Sequence, residues 1–182
     1  MTRKCTEILI AEHKIILRTA FVLNAMAKPT TDQRLPSRED IDGIIEILRV
    51  FADDFHQGKE ESALFPVFTA KCDAAEIAAV KHMVFEHEQD RSLIEGIQDA
   101  VKRSDRADFG QLATKLSDIL QNHIYKEDHF LFEMVNRMLS EEDDNKVCAE
   151  FELFDRDFYD LGHDRVLHRL SMLEWKYLGK AA

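Results

Sequence analysis

Glycine and proline are scarce, at six and three among 182 residues. All-β folds need many turn residues, so this scarcity argues for long helices joined by few loops. Cysteine is also sparse. Cys5, Cys72 and Cys148 are odd in number and far apart, which excludes a disulfide framework and suggests a reducing compartment. No run approaches the ~20 apolar residues of a membrane span, and the apolar run near the N-terminus is too short for a secretory core. Basic clusters are missing as well. With a net charge of −11 and its Lys and Arg scattered among more numerous acids, the chain lacks a nucleic-acid or anionic-membrane surface. A single soluble cytoplasmic domain spanning residues 1–182 is expected.

What is present is helical periodicity. Leu9, His13, Ile16, Ala20 and Leu23 recur at steps of three and four, predicting a first helix from about Arg3 to Ala27. Lys28 to Ser37, with two prolines, reads as a loop, and Ser37 as the cap of a second helix running from Arg38 towards Phe65. Its inner face is Ile41, Ile45, Leu48, Ala52, His56, Glu60 and Ala63; Pro66 is expected to end or kink it. Asp73 caps a third helix from about Ala74 to Arg103, with Val80, Val84, His87, Ile94 and Ile97 inside. A fourth helix ends near Leu139 and shows the stripe Leu112, Leu116, Ile119, His123, Glu127, Phe130, Met134 and Met138. The acidic Ser140 to Asn145 reads as a break. Beyond it an apolar tail, at about 146–179, predicts one or two further helices broken near Gly162.

A short internal repeat links these helices. His56-Gln-Gly-Lys-Glu60-Glu-Ser-Ala-Leu64-Phe65 and His123-Ile-Tyr-Lys-Glu127-Asp-His-Phe-Leu131-Phe132 share five residues at matching offsets. Each follows a helix bearing a Glu-His pair, Glu12-His13 or Glu86-His87. Four residues turn a helix by about 400°, so each His and Glu of a repeat project from one face. The all-α chain therefore aims four imidazoles and two carboxylates at one four-helix bundle core. Two buried carboxylates destabilise a fold unless protonated, paired or bound to metal. A set of His13, His56, Glu60, His87, His123 and Glu127 has too many imidazoles for calcium or magnesium and no thiolate for a Cys-rich zinc cage. Iron suits it best, ahead of manganese or zinc. The Glu-x-x-His motif of ferritin-like carboxylate proteins is absent from these histidines.

The order His, His-x-x-x-Glu, His, His-x-x-x-Glu over about residues 5–139 resembles the hemerythrin-like (HHE cation-binding) family. The segment Phe55-His-Gln-Gly-Lys-Glu-Glu-Ser-Ala-Leu-Phe-Pro66 is similar to that family's second-helix signature. The resemblance implies an up-down-up-down bundle over about 3–139 with two non-haem iron ions, oxo- or hydroxo-bridged. It implies bridging by Glu60 and Glu127, with His13 and His56 towards one iron and His87 and His123 towards the other. Oxygen-carrying members place a second histidine where this chain has Met83, and an acid five residues after the fourth-helix histidine, where Glu127 here follows by four. The chain thus resembles the branch with fewer histidines and a second glutamate. That branch implies an open coordination position meeting dioxygen, peroxide or nitric oxide, with iron donation for iron–sulfur repair or a regulatory module as alternatives. The apolar tail leaves a homodimer open. Glu61 is expected to be a solvated acid, Lys59 and Lys126 to form ion pairs, and His129 to stand beside the site; His82, His163 and His168 are read as peripheral.

Overall fold

The computed structural model describes residues 4–29 and 34–179, the side chains of 159–161 excepted. Arg3, the expected start of the first helix, and residues 30–33 of the expected loop lie outside them. Six helices account for nearly all the described chain, with no strand among the described residues. Helix α1 is Cys5–Ala27. Helix α2 begins as Arg38–Ile47, winds as a π-helix over Leu48–Gln57 and again over Glu60–Leu64, and returns to α-helix over Phe65–Thr69. Helix α3 is Ala74–Lys102. Helix α4 is Arg106–Lys126, π-helical over Glu127–Leu131 and α-helical over Phe132–Met138. Helices α5 (Glu141–Leu161) and α6 (His163–Leu178) form the tail.

Side-chain caps start these helices where polar residues announce them. Ser37 accepts the amide of Asp40, Asp73 those of Ala75 and Glu76, and Asp105 that of Asp108. The acidic stretch after Met138 is a helix start and not a break. Ser140 caps α5 by accepting the Asp143 amide, and Glu141, Glu142, Asp143 and Asp144 fill its first turn, where carboxylates suit the positive end of the helix dipole. Between α5 and α6 stands Gly162, at φ 133° and ψ 38°, a conformation closed to residues with a Cβ. Gly162→Ala is expected to cost about 1–3 kcal/mol, read as a lowered midpoint in thermal unfolding.

Two expectations fail for one reason. Pro66 does not end α2, which continues to Thr69, and Phe130, expected inside, is 58% exposed. In each repeat the backbone bond skips one residue: the Phe65 amide donates to the Glu60 carbonyl, and the Phe132 amide to the Glu127 carbonyl. The wider turn inserts a residue, so burial moves from the predicted Phe130 and Met134 to Leu131, Phe132 and Val135. It also restarts the α-helix at Phe65, where Pro66 falls in the first turn and needs no donor.

Helices α1 and α4 pack antiparallel. Thr6 meets Asn136 near one end, Ser117 donates to the Ala20 carbonyl midway, and Arg106 donates to the Ala27 carbonyl at the other. Helices α2 and α3 also run antiparallel, through Arg49–Gln98, Asp53–Arg91 and Glu61–His87. The apolar interior is divided in two. One cluster holds Ile16, Leu23, Leu48, Phe51, Ile97, Leu116, Leu120 and, from the tail, Phe158 and Leu170. The other holds Leu9, Leu64, Phe65, Phe68, Met83, Leu131, Phe132 and, from α5, Val147 and Phe151. Along each of α1 to α4 the sequence passes from one cluster to the other at its histidine. A thin polar layer thus lies between two apolar plugs. No helix among the described residues is long and apolar enough to cross a membrane.

Candidate metal centre

Into that layer the four helices deliver His13, His56, Glu60, His87, His123 and Glu127, none more than 3% exposed. The four-residue spacing does what helical phase requires: His56 Nε2 lies 3.6 Å from Glu60 Oε1, and His123 Nε2 lies 3.2 Å from Glu127 Oε1. Each carboxylate also reaches across the core, Glu60 to His87 Nε2 (3.4 Å) and Glu127 to His13 Nε2 (3.2 Å). Two overlapping groups result. One donor atom from each of His13, His56, Glu60 and Glu127 lies within 4.8 Å of the others, and the same holds for Glu60, His87, His123 and Glu127. Both glutamates belong to both groups.

The outward nitrogens are all engaged. His56 Nδ1 donates to Glu12 (2.8 Å), His123 Nδ1 to Glu86 (2.9 Å), His13 Nδ1 to Asp128 (2.6 Å) and His87 Nδ1 to Glu61 (2.7 Å). Donation at Nδ1 fixes the tautomer and leaves each Nε2 lone pair facing the core. There the partners run out: His13 Nε2 and all four carboxylate oxygens of Glu60 and Glu127 are buried without a hydrogen bond. His87 and His123 bring their Nε2 atoms 3.0 Å apart, an unfavourable meeting of lone pairs unless a cation or proton lies between. Buried polar groups this numerous and this poorly satisfied could hold a metal ion. A pair of cations facing imidazole nitrogen and carboxylate oxygen fits the donor set.

Proton affinities record the same strain. Burial and the charge of Glu127 push Glu60 well above the usual carboxylate range. Burial also raises Glu127, but the nearby His123 and His13 imidazoles, each 3.2 Å away, outweigh it and hold that carboxyl well below its usual range. Burial lowers His56 to about 4 and lowers His87 too. For His123 burial is overcome by Glu127 and Glu86, which raise it well above 6.5. The two carboxylates cannot both ionise comfortably without added positive charge.

Sequence periodicity does not reveal the four acids behind the histidines. Glu61, expected to be solvated, accepts from both His87 and Arg91. His129 is exposed, stacked on Tyr125 and bonded to its carbonyl; its neighbour Asp128 takes the place expected for it. A signal existed: an acid precedes the inward histidine of α1 and α3, and an acid follows each core glutamate of α2 and α4. A side chain one residue from the inward face points at the neighbouring helix, so it reaches that helix's histidine from outside. Lys59 and Lys126 form ion pairs as expected, with Glu12 and Glu86. The three thiols are free; burial first raises all of them, Cys148 to about 11, which leaves them poor metal ligands or nucleophiles.

The hemerythrin HHE cation-binding domain model matches residues 5–135. The chain belongs to that family. No curated protein and no solved structure matches the chain significantly. Hemerythrin domains bind metal ions, typically iron, and small ligands such as dioxygen. The buried His/Glu cluster of this hemerythrin domain lies within the matched span and could hold such a metal. Cavities of about 850 Å³ beside Ala27, Arg106 and Gly110, and of about 540 Å³ beside Arg165 and Trp175, contain none of the six residues.

Close to the six residues is a further buried acid. Asp90 is 4% exposed; its Oδ2 receives a long 3.5 Å bond from Gln57, and its Oδ1 has no partner. Burial, abetted by Glu86 and Asp53 and opposed by His123 and Gln57, raises its pKa to about 7. Between the unfolded value near 3.8 and the folded value near 7, the native state binds a proton that the unfolded chain does not. The resulting cost grows as pH rises through that window and is complete above it. Asp90→Asn is therefore expected to stabilise the metal-free protein by about 1–4 kcal/mol at pH 8 and by almost nothing at pH 4. Thermal unfolding at the two pH values measures the difference.

Proposed function

We propose that this chain is a non-haem di-iron protein whose centre meets dioxygen, peroxide or nitric oxide in an oxidative or nitrosative stress response. The four helices α1 to α4 are read as an up-down-up-down bundle forming, with α5 and α6, a single domain. The observation that carries the reading is the orphaned set of inward atoms. Four Nε2 nitrogens and two carboxylates face one another, while every Nδ1 is tied to an acid. His13 and His56 would hold one ion and His87 and His123 the other, with Glu60 and Glu127 shared, as their place in both groups of four supports. Iron in such a site supplies redox chemistry and an open position for a small ligand.

The chain's own residues set the terms. Glu12, Glu61, Glu86 and Asp128 orient the rings and increase their basicity. The apolar plugs on either side exclude bulk water and keep the dielectric low, which strengthens electrostatics at the centre. With all six residues buried, the centre admits diatomic-sized molecules more readily than organic substrates. Met83, at the position where the oxygen carriers of the resemblance have a second histidine, is buried among apolar side chains and offers no imidazole.

Anaerobic addition of ferrous iron is expected to load two ions per chain. Exposure to air should then give the near-ultraviolet charge-transfer bands of a magnetically coupled iron pair. Binding near zero, or of one ion without a coupled spectrum, would overturn the reading.

A further inference from the structure

The two repeats are alike around their histidines and unlike one layer further out. In the second repeat, Lys126 pairs with Glu86, which holds His123, and Lys126 is 32% exposed. In the first, Lys59 pairs with Glu12 at 2.6 Å, and Glu12 holds His56. Yet Lys59 is completely buried, and its ammonium makes a second bond, 2.6 Å to Asp155 of α5. The same ammonium lies 3.8 Å from the centre of the Phe55 ring and 5.4 Å from that of Phe151.

Helix α5 is seated to do this. Phe151 packs in one apolar cluster and Phe158 in the other, so Asp155 stands level with the polar layer. Gly58 permits the approach: a Cβ there would meet Phe154 Cε1 at 3.0 Å. The tail is thus part of the centre's surroundings on one side only.

We propose that α5 is a clamp on one of the two metal positions. Asp155 fixes Lys59, Lys59 fixes Glu12, and Glu12 fixes the His56 imidazole, so the position bounded by His13 and His56 retains its ion while that bounded by His87 and His123 exchanges. Releasing the first ion would require His56 to turn, which separates Glu12 from the fully buried Lys59 ammonium; turning His123 disturbs Glu86, whose Lys126 is a third exposed and can be replaced by water. Asp155 is a positioning residue, acting through Lys59 and Glu12. The proposal rests on the two-metal reading, and its test separates the two.

The full-length protein, loaded anaerobically with ferrous iron, is mixed with a chromogenic ferrous chelator. Two phases of one ion each are expected, the slower one belonging to the clamped position. Asp155→Ala should accelerate the slow phase by about tenfold, Asp155→Glu should restore it, and Lys126→Ala should leave it unchanged. A single two-ion phase in the wild type, or an unchanged slow phase in Asp155→Ala, overturns the clamp. A metal-free readout stands beside this one. Lys59 should resist reductive methylation in the wild type and react in Asp155→Ala about as fast as Lys126. Asp155→Asn, which keeps shape and one hydrogen bond, serves if the alanine variant fails to fold. Protection of Lys59 in the folded variant refutes the clamp even if metal binding is sound. Failure to bind two ions, with Lys59 exposed as expected, refutes the two-metal reading alone.

Discussion

Glu60→Gln is expected to stabilise the metal-free protein and to abolish the stabilisation that metal confers. Burial and the facing Glu127 hold the Glu60 carboxyl far above its unfolded value. In the absence of metal it therefore imposes a cost that is absent below about pH 4.5 and grows as pH rises towards the folded pKa. Removing an ionisable, unpartnered group from such a place recovers about 1–3 kcal/mol, which for a chain of this size is an increase in Tm of roughly 2–12 °C. Ferrous iron is expected to raise the wild-type midpoint much further, since structural metal binding can contribute on the order of 10 kcal/mol to folding. The variant loses a carboxylate shared by both groups of four, so both positions suffer. Calorimetry with and without iron measures both effects. If the metal-free variant melts below the wild type at pH 7.5, Glu60 is part of a structural hydrogen-bond network and the metal argument is wrong.

Lys59→Met and Lys126→Met should differ sharply although they change matching positions of one repeat. Methionine keeps length and apolar contact in both. In the first case it leaves Glu12 in a buried layer with its cation removed, and truncating one partner of a buried pair typically costs about 3–5 kcal/mol. In the second, Glu86 is left beside a partly solvated position, and an exposed pair is worth up to about 1 kcal/mol. Denaturant titration of the metal-free variants gives the comparison. Equal losses would mean that burial of Lys59 beneath the tail adds nothing to the strength of its ion pair.

The helices were legible because their caps are explicit: Ser37 and Asp73 lie where polar residues meet apolar stripes, and both accept the expected amides. His56 and Glu60, or His123 and Glu127, could be placed together because four residues on any helix share a face. What periodicity could not show was a change of period. The π-helical turn after each core glutamate depends on backbone packing, not on a residue type, so Phe130 looked buried and Leu131 did not. Nor could a single-helix face reveal Glu12 or Glu86, whose meaning lies in the histidine of the next helix. Asp155 was illegible for a further reason. Ninety-odd residues separate it from Lys59, and only the docking of α5 across both plugs brings it level with the centre.

The division of the interior into two apolar plugs limits how a small ligand would reach the proposed centre. A route along the helix axes is blocked by Phe65, Phe68 and Phe132 at one side of the polar layer and by Phe51, Leu116 and Leu120 at the other. Entry is left to the lateral seams. The seam between α1 and α2 is shut by α5, with Lys59 sealed beneath it. The seams of α3 with α2 and α4 carry Glu61, Arg91, Glu86 and Lys126, all partly accessible to water. On the proposed reading, a small ligand would approach past these charged side chains, or past Asp128 beside His13 on the α1–α4 seam, and not beneath α5.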